Sequence, residues 1–477
     1  MSTIRTRIAP SPTGFLHIGT ARAALFNYLF AKRYGGTFVL RIEDTDLERS
    51  DNKFEKDIFE GLRWLGIDAD ESPEKGGPYG PYRQSERIQD YTRAIQKLLR
   101  DGNAFYCFHS EEELEHEKDE LMTAKKPILH LCEYRTLDAK EAETLTKTKS
   151  SYIIRFKTPA GRIVAFTDMI RGELSFESDL IGDFSIAKRI DVPLYNLAVV
   201  VDDESMKISH VIRGEDHIAN THKQLLLIEA LGLSLPSYAH LPLVLGQDRS
   251  KLSKRHGTTS VIEYREAGYL PDALFNFIAL LGWNPGTDQE IFSRDELIQQ
   301  FSIEKIQKSG AIFDTTKLGW MNGEYIRALS TEQLFEQAKD FLPKNYTLYP
   351  VPYTLAVLAL EQPRLKKLSD IAENAEYFFR QPYYEKDLLK WKTMTDDDVR
   401  ASLDISLALL NEHGSKNRDQ IEKVFLEKAT ERGDRGSLLW PLRVALSGRK
   451  NSPGPFDIID ILGVEESIRR INAAKEL

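Results

Sequence analysis

The sequence predicts an α/β first half, interrupted by an α+β insert and followed by an all-helical C-terminal third. Three observations predict it. Strand and helix signals alternate over the first 65 residues; short β-like runs separated by turn residues occupy 152–177; and beyond about residue 325 the β signals fade.

Arg5 to Ala9 is an extended segment ended by Pro10. From Ile18, the positions Ala21, Leu25 and Tyr28, with Ala24 and Leu29, recur at helical spacing, and Gly35 and Gly36 stop that helix. Thr37 to Glu43 alternates and then turns polar, as a strand end does. Phe54, Ile58, Phe59, Leu62 and Leu65 form the next helical stripe, so a βαβ unit with a parallel sheet is the natural assembly. A Pro/Gly-rich break at 72–83 precedes a helix marked by Ile88, Tyr91, Ile95, Leu98 and Leu99, then a polar helical stretch at 110–125. Segments 152–157, 162–167 and 172–177 read as strands of an inserted α+β domain. The βα pattern resumes with Leu197 to Val201 as a strand and a helix after Asp216. In the last third, 331–342, 353–361, 382–392, 395–412 and 416–431 read as helices, with no internal repeat.

A chain of 477 residues suggests about three domains. Its 41% hydrophobic and 29% charged residues are those of a soluble globular protein, and no apolar run approaches the roughly 18 residues that span a bilayer. Met1 to Gly14 carries no apolar block of the signal-peptide kind, so a cytoplasmic location is expected. Two cysteines, Cys107 and Cys132, make no disulfide framework; in a reducing compartment they point to metal binding or inert burial. The net charge of −9 argues against indiscriminate coating of nucleic acid, although local basic stripes would still suit a specific RNA.

Two motifs carry chemistry. Ser11-Pro-Thr-Gly-Phe-Leu-His17-Ile18-Gly19-Thr20 lies between the first strand and the first helix. There the helix N-terminus offers free N–H groups and partial positive charge, Gly19 permits close approach of a nucleotide, and His17 supplies a donor to phosphate oxygens. Alone, His-x-Gly is as readily a capped helix start. Lys251-Leu-Ser-Lys254-Arg255 places three basic residues and Ser253 in a loop between Gly246 and Gly257. Such lysines can neutralise charge on a departing pyrophosphate, whereas a charge run alone is usually a solvated face.

In order and separation the pair resembles the two signature sequences of class I aminoacyl-tRNA synthetases. Arg7-Ile-Ala-Pro-Ser-Pro-Thr-Gly14, Arg41-Ile-Glu-Asp-Thr-Asp46, the segments 76–87 and 313–326, and Trp440-Pro-Leu-Arg-Val-Ala-Leu-Ser-Gly448 narrow the resemblance to bacterial glutamyl-tRNA synthetases, over essentially the whole chain. The resemblance implies a Rossmann-like catalytic domain over 1–82 and 197–240, an inserted acceptor-binding domain over 83–196, a stem-contact domain over 241–328 and an all-helical anticodon-binding region over 329–477. It implies ATP and Mg²⁺, L-glutamate and tRNA(Glu) as reactants and partners, and a monomer.

Carried over by position, Arg7, Ala9 and Ser11 line the glutamate pocket, Glu43 meets the substrate ammonium, and Tyr195 and Arg213 complete it. A dicarboxylate needs cationic partners, and arginine grips a carboxylate through paired hydrogen bonds. His17, Gly19, Thr20, Asp216 and Lys254 bind ATP, and His17, Gly19 and Thr20 act in catalysis with Lys251, Ser253 and Lys254. Two departures stand out: Val199 occupies a place where the family often has asparagine, with Asn196 a replacement, and Asp216 and His217 differ from the glutamate and tryptophan of some relatives. Some relatives carry a zinc knuckle; the matching positions are Cys107, His109, Cys132 and Tyr134, with His130 a rival fourth ligand. Arg364 resembles the position that reads the last anticodon base, and Arg432, Arg435, Arg443, Arg449 and Lys450 cluster later with Trp440. The implied reaction runs through glutamyl-adenylate without a covalent enzyme intermediate, and tRNA is required for efficient activation. Alternatives are a glutamyl-queuosine tRNA(Asp) synthetase, whose kind ends after the catalytic core, and a non-catalytic tRNA-binding relative. The reading requires the His17–Thr20 and Lys251–Lys254 segments to face one triphosphate.

Overall fold

In order along the chain the strands are β1 (Arg5–Ile8), β2 (Thr37–Leu40), β3 (Ala104–Cys107), β4 (Ile153–Phe156), β5 (Ile163–Asp168), β6 (Gly172–Glu177), β7 (Phe184–Arg189), β8 (Val192–Pro193), β9 (His210–Gly214), β10 (Ser237–Leu241), β11 (Val244–Leu245) and β12 (Ala311–Ile312). The computed structural model describes residues 3–46, 48–125, 129–149, 151–253, 255 and 259–477. They fall into two units: Met1–Tyr264 with Leu274–Thr315, and Arg265–Ala273 with Thr316–Leu477.

In the first unit β1 pairs in parallel with β2, Arg5 opposite Thr37 and Ile8 opposite Leu40. β9 lies beside β1, joined by Ser209 N–H to Arg5 O at 3.0 Å, and continues in parallel into β10. The helix Ile18–Arg33 crosses from β1 to β2 and buries Ile18, Ala21, Leu25, Phe26 and Leu29. It also buries Asn27, whose amide donates to Ala23 O and Ile212 O at 2.8 Å each while Thr6 Oγ1 donates to Asn27 O. A buried amide with its donors satisfied thus pins the helix across β1 and β9. Lys32 and Arg33 in its last turn suit the negative end of the helix dipole.

The insert is an antiparallel sheet in the order β3-β4-β7-β8. Ile95 and Leu98 of the helix Ile88–Arg100 pack with Ile154, Phe156, Phe184 and Ile186. The hairpin β5–β6, expected inside this insert, instead extends the catalytic sheet in the order β6-β5-β10-β9, with Asp168 opposite Tyr238. Turn residues mark a hairpin but leave its outer partner unspecified.

Leu197 to Val201, read as a strand, lies in the helix Tyr195–Ser205, with Leu197, Ala198, Val199 and Val200 all buried. A short apolar run covered on every side carries no period that separates strand from helix. The strand is β9. The stretch 241–328 also departs from a single domain: 274–315 belongs with the first unit, and 265–273 and 316–328 with the second.

The second unit is helical throughout its described residues except for turns and 3₁₀ segments. Leu334, Val357, Phe378, Leu403, Phe425, Leu442 and Phe456 belong to one core. Reciprocal caps start the helices Asp396–His413 (Thr395 with Asp398) and Arg418–Glu431 (Asn417 with Gln420). The expected helix at 382–392 shrinks to one 3₁₀ turn, Lys386–Leu389. Pro382 disfavours helix at the residue before it, and Lys392 takes a positive φ of 52°. Among the described residues no helix is long and apolar enough to cross a membrane.

Candidate active site

The loop after β1 is fixed from below: Leu16 N–H donates to Asp57 Oδ2 at 2.6 Å. His17 then caps the helix Ile18–Arg33, its Nδ1 accepting from Thr20 N–H at 3.3 Å while Nε2 lies 3.0 Å from Thr20 Oγ1. A ring that accepts at Nδ1 carries its proton on Nε2, so it is the neutral tautomer. Loss of solvent around the ring, then the Lys251 ammonium, lower its pKa and favour that form. Gly19 sits against the ring: a Cβ there would lie 3.1 Å from His17 Cε1 and Nδ1.

Residues 259–261, which follow the second motif in sequence, are laced to this loop by backbone. Ile18 N–H donates to Thr259 O, and Val261 N–H donates to Leu16 O, both at 2.9 Å, so 259–261 runs alongside 16–18. Upstream, Gly246 N–H to Ser250 O (2.8 Å) and Leu252 N–H to Val244 O (2.9 Å) fold 244–252 back on itself. Lys251 Nζ then pairs with Asp216 Oδ2 at 3.2 Å, and both charges act on His17. Ser253 is exposed; Lys254 lies outside the described residues. His17, Gly19, Thr20, Asp216 and Lys251 therefore share one end of the sheet.

Deeper in the sheet lies a buried ionic network. Arg7, on β1, meets both Asp203 oxygens at 3.2–3.3 Å. Arg41, fully buried, reaches Asp203 Oδ1 at 2.8 Å, Glu43 Oε1 at 3.1 Å and Asp202 Oδ2 at 3.5 Å. Burial raises the Glu43 pKa against the opposing pull of Arg41 and Arg7. At Asp203 burial pushes the same way, but Arg7 and Arg41 outweigh it and hold the carboxyl below its ordinary value.

Arg213, on β9, is equally buried and differently partnered. Its guanidinium bonds Thr221 Oγ1 and Gln224 Oε1 at 2.8 Å each, His240 Nε2 at 3.3 Å and Tyr195 Oη at 3.5 Å. All are neutral groups. Tyr195 Oη in turn lies 3.0 Å from His217 Nδ1, and loss of solvent with the nearby Arg213 holds the His217 pKa down to about 4. A buried guanidinium among neutral partners has the charge and geometry to accept a carboxylate. Arg7, Glu43, Tyr195 and Arg213 are thus brought together, as their shared field at the Tyr195 phenol also shows. Ala9 is half-buried and Ser11 exposed beyond the strand. Val199 faces the core with Leu226 and Leu227, while Asn196 Oδ1 accepts from Gln224 Nε2 at 3.0 Å and so stands one residue from Arg213.

Similarity to known proteins agrees with this geometry. Residues 3–320 match the family described as class I tRNA synthetases (E and Q), catalytic domain, and 333–475 match an anticodon binding domain. The chain belongs to the glutamate–tRNA ligases, a class I aminoacyl-tRNA synthetase family. It is 44% identical over 475 residues to a glutamate–tRNA ligase of Carboxydothermus hydrogenoformans, covering 98% of this chain and 99% of that one. The ligase of Moorella thermoacetica is 42% identical over 483 residues, covering 99% and 98%. A crystal structure of a glutamate tRNA ligase from Elizabethkingia meningosepticum, in complex with its amino acid, superposes with a TM-score of 0.90 at 36% identity, covering 100% of this chain and 99% of that one.

Beside this ligase core, the insert gathers a second group of donors. Cys107 Sγ lies 3.5 Å from His109 Nδ1 and 3.6 Å from His130 Nε2, and Cys132 Sγ lies 3.7 Å from His109 Nδ1. Sulfur and nitrogen ligands of a tetrahedral zinc ion stand about 3.6 Å apart, given its usual bond lengths. All four donor atoms fall within 4.8 Å of one another, and His130 Nδ1 is held by the Glu117 carboxylate, as a metal-bound imidazole usually is. His130 supplies the fourth donor of this group. The Tyr134 ring packs edge-on against His109 at 5.1 Å and Phe108 at 5.3 Å.

In the anticodon-domain unit, Arg364 pairs with the buried Glu361 at 3.4 Å and donates to Asn451 O at 3.0 Å. Trp440, which clusters in sequence with the late basic residues, is committed to the fold: its Nε1 donates to Leu388 O at 2.9 Å and its ring lies 5.2 Å from Trp391. Sequence reasoning missed Arg41, Asp203, Thr221 and Gln224 in the pocket. The adjacent acids Asp202-Asp203 ending an apolar run were the available signal.

Proposed function

We propose that the chain joins L-glutamate to the 3′ end of tRNA(Glu), with its residues dividing the work as follows. Arg213 and Tyr195 receive the side-chain carboxylate, and Glu43 faces the ammonium from the Arg7–Arg41–Asp203 network. Glutamine is rejected because its amide would point N–H donors at guanidinium donors. The substrate α-carboxylate attacks the α-phosphorus in line, and the first-turn N–H groups with His17, Thr20, Lys251 and Lys254 stabilise charge as pyrophosphate leaves. ATP is the energy source, and Mg²⁺, its usual companion, neutralises phosphate charge. The terminal ribose 2′-hydroxyl then takes the glutamyl group. Such a reaction belongs in the cytoplasm, with the charged tRNA's consumers.

The observation that carries this reading is the backbone lacing of 259–261 to 16–18, which supports both signature segments acting on one nucleotide. Glutamate-dependent pyrophosphate exchange tests it: exchange is expected only with tRNA present, and its absence under those conditions would remove the reading. A Lys254→Ala chain is expected to lose activation and keep tRNA affinity.

The insert built on β3, β4, β7 and β8 supports the acceptor end, and the helical unit reads the anticodon with Arg364, oriented by Glu361. Cys107, His109, Cys132 and His130 fit a structural Zn²⁺, which would tie the end of β3 to residues 130–132. Metal analysis of the purified chain is expected to give one zinc per chain, retained in Tyr134→Phe and lost in His130→Ala.

A further inference from the structure

The register of the central sheet places a histidine and an acid behind the glutamate-binding arginine. His240 on β10 is the ladder partner of Arg213 on β9, so the two side chains leave the same face. β5 pairs with β10 and ends at Asp168, opposite Tyr238 and hence beside His240. All three side chains are buried, His240 completely.

The hydrogen bonds around Asp168 fix their direction. Asp168 Oδ1 accepts from the backbone N–H groups of Ile170 and Arg171, each at 2.9 Å. Its Oδ2 accepts from His240 N–H at 3.0 Å and faces His240 Nδ1 at 2.7 Å. A carboxylate filled by donors accepts, so Nδ1 carries the proton and Nε2 presents a lone pair. That lone pair points at Arg213 Nε (3.3 Å) and Thr221 Oγ1 (3.0 Å). Arg213 Nη2 is then held by Thr221 and Gln224, leaving Nη1 toward Tyr195.

We propose that Asp168 and His240 are positioning residues for glutamate recognition: Asp168 fixes the His240 tautomer, and the His240 lone pair fixes the roll of the Arg213 guanidinium so that its Nη1 edge meets the substrate carboxylate. Neither residue touches substrate. With the opposite tautomer, Nε2 would aim an N–H at the Arg213 N–H groups and turn the fork away. The inference rests on the reading of Arg213 as the glutamate contact.

The test is tRNA-dependent pyrophosphate exchange by the full chain, measuring KM for glutamate and for ATP separately. His240→Leu is expected to raise the glutamate KM roughly tenfold or more, the loss associated with a hydrogen bond to a charged group, with the ATP KM within about twofold. His240→Gln, whose amide oxygen can reach the Nε2 position, is expected to recover part of that loss; it also serves if the leucine variant does not fold. In an Arg213→Lys background, the His240 substitutions are expected to change the glutamate KM little, because the group they orient is gone. Equal effects in both backgrounds, or an ATP KM rising in step, would make His240 merely structural and overturn the proposal. So would an unchanged glutamate KM in His240→Leu while Arg213→Lys raises it. An Arg213→Lys chain with normal glutamate KM removes the underlying reading, and is told apart because the dyad is intact in it.

Discussion

The two halves of the proposed active site are built on opposite principles. The amino-acid half is buried charge: Arg41 is wholly enclosed, Arg7, Glu43 and Asp203 nearly so, and each finds its partner before substrate arrives. The nucleotide half is exposed charge on a backbone clamp: the Lys251–Asp216 pair has half or more of each side chain in solvent, and what is fixed is the main chain of 16–18 against 259–261. Glutamate must be told from glutamine by its side-chain carboxylate alone, so a rigid, desolvated receptor is apt. A triphosphate needs charge delivered as pyrophosphate departs, which lysines on long stems provide.

That contrast is broken most directly by removing one charge from each half. Asp203→Asn leaves Arg7 and Arg41 buried with too little counter-charge, and is expected to lower unfolding free energy by about 3–5 kcal/mol. Lys251→Ala, at an exposed pair, is expected to change it by less than about 1 kcal/mol. Denaturant titration of both variants settles the matter; equal effects would mean that the network is not what holds β1, β2 and the Tyr195–Ser205 helix together. In activity the order is set by contact. Arg213→Leu is expected to reduce kcat/KM for glutamate by about a hundredfold or more while the ATP KM holds. An ATP KM that rose in step with the loss in glutamate kcat/KM would place Arg213 outside the amino-acid subsite.

Histidines sharpen the comparison through pH. His222 is buried, its ring 4.3 Å from that of Phe176, and desolvation, then Lys223, hold its pKa to about 4. His217 is held to about 4 as well. A group whose folded pKa lies below the unfolded value of about 6.5 contributes stability that is present above that value and lost as pH falls through the folded one. The melting temperature of the chain is therefore expected to fall between about pH 6.5 and pH 4. His222→Phe, which fills the same slot and leaves no unpartnered Nδ1, is expected to shrink that fall without lowering the neutral-pH value. An unaltered acid limb in this variant would assign the loss to other groups.

The exposed half was the legible one. Its parts are two short runs of neighbouring residues, His17 to Thr20 in one loop and Lys251 to Ser253 in another, so each run is written out in order. The buried half was legible only where family resemblance named a position. Arg41 reaches Asp203 across 162 residues, and Arg213 meets His240 through strand register, which no local pattern encodes. The same limit explains the β5–β6 hairpin, whose turn was visible and whose partner β10 was not. It also explains the Leu197–Val201 run, where burial on every face erased the period. At the Cys/His group, spacing within each pair admitted both His130 and Tyr134, and only the fold brings His130 Nε2 to 3.6 Å from Cys107.

The smallest expected effect lies within the nucleotide half. Gly19 occupies the first turn of the helix Ile18–Arg33, where its backbone is ordinary and alanine is the better helix former by up to about 1 kcal/mol. Stability alone therefore favours Gly19→Ala. Its Cβ, however, would stand 3.1 Å from two atoms of the His17 ring, which must yield by a few tenths of an ångström. Among the described residues that ring is hydrogen-bonded by Thr20, through contacts of 3.0 and 3.3 Å, so it can move where a packed side chain could not. Gly19→Ala is accordingly expected to melt no lower than the parent chain while losing roughly three- to tenfold in the activation rate. Its ATP-dependent parameters should carry that loss, with the glutamate KM unmoved. If the variant lost stability as well, the ring would be rigidly packed and His17 would belong with the buried half. If it lost nothing, close approach at Gly19 would not be what the helix N-terminus requires of that position.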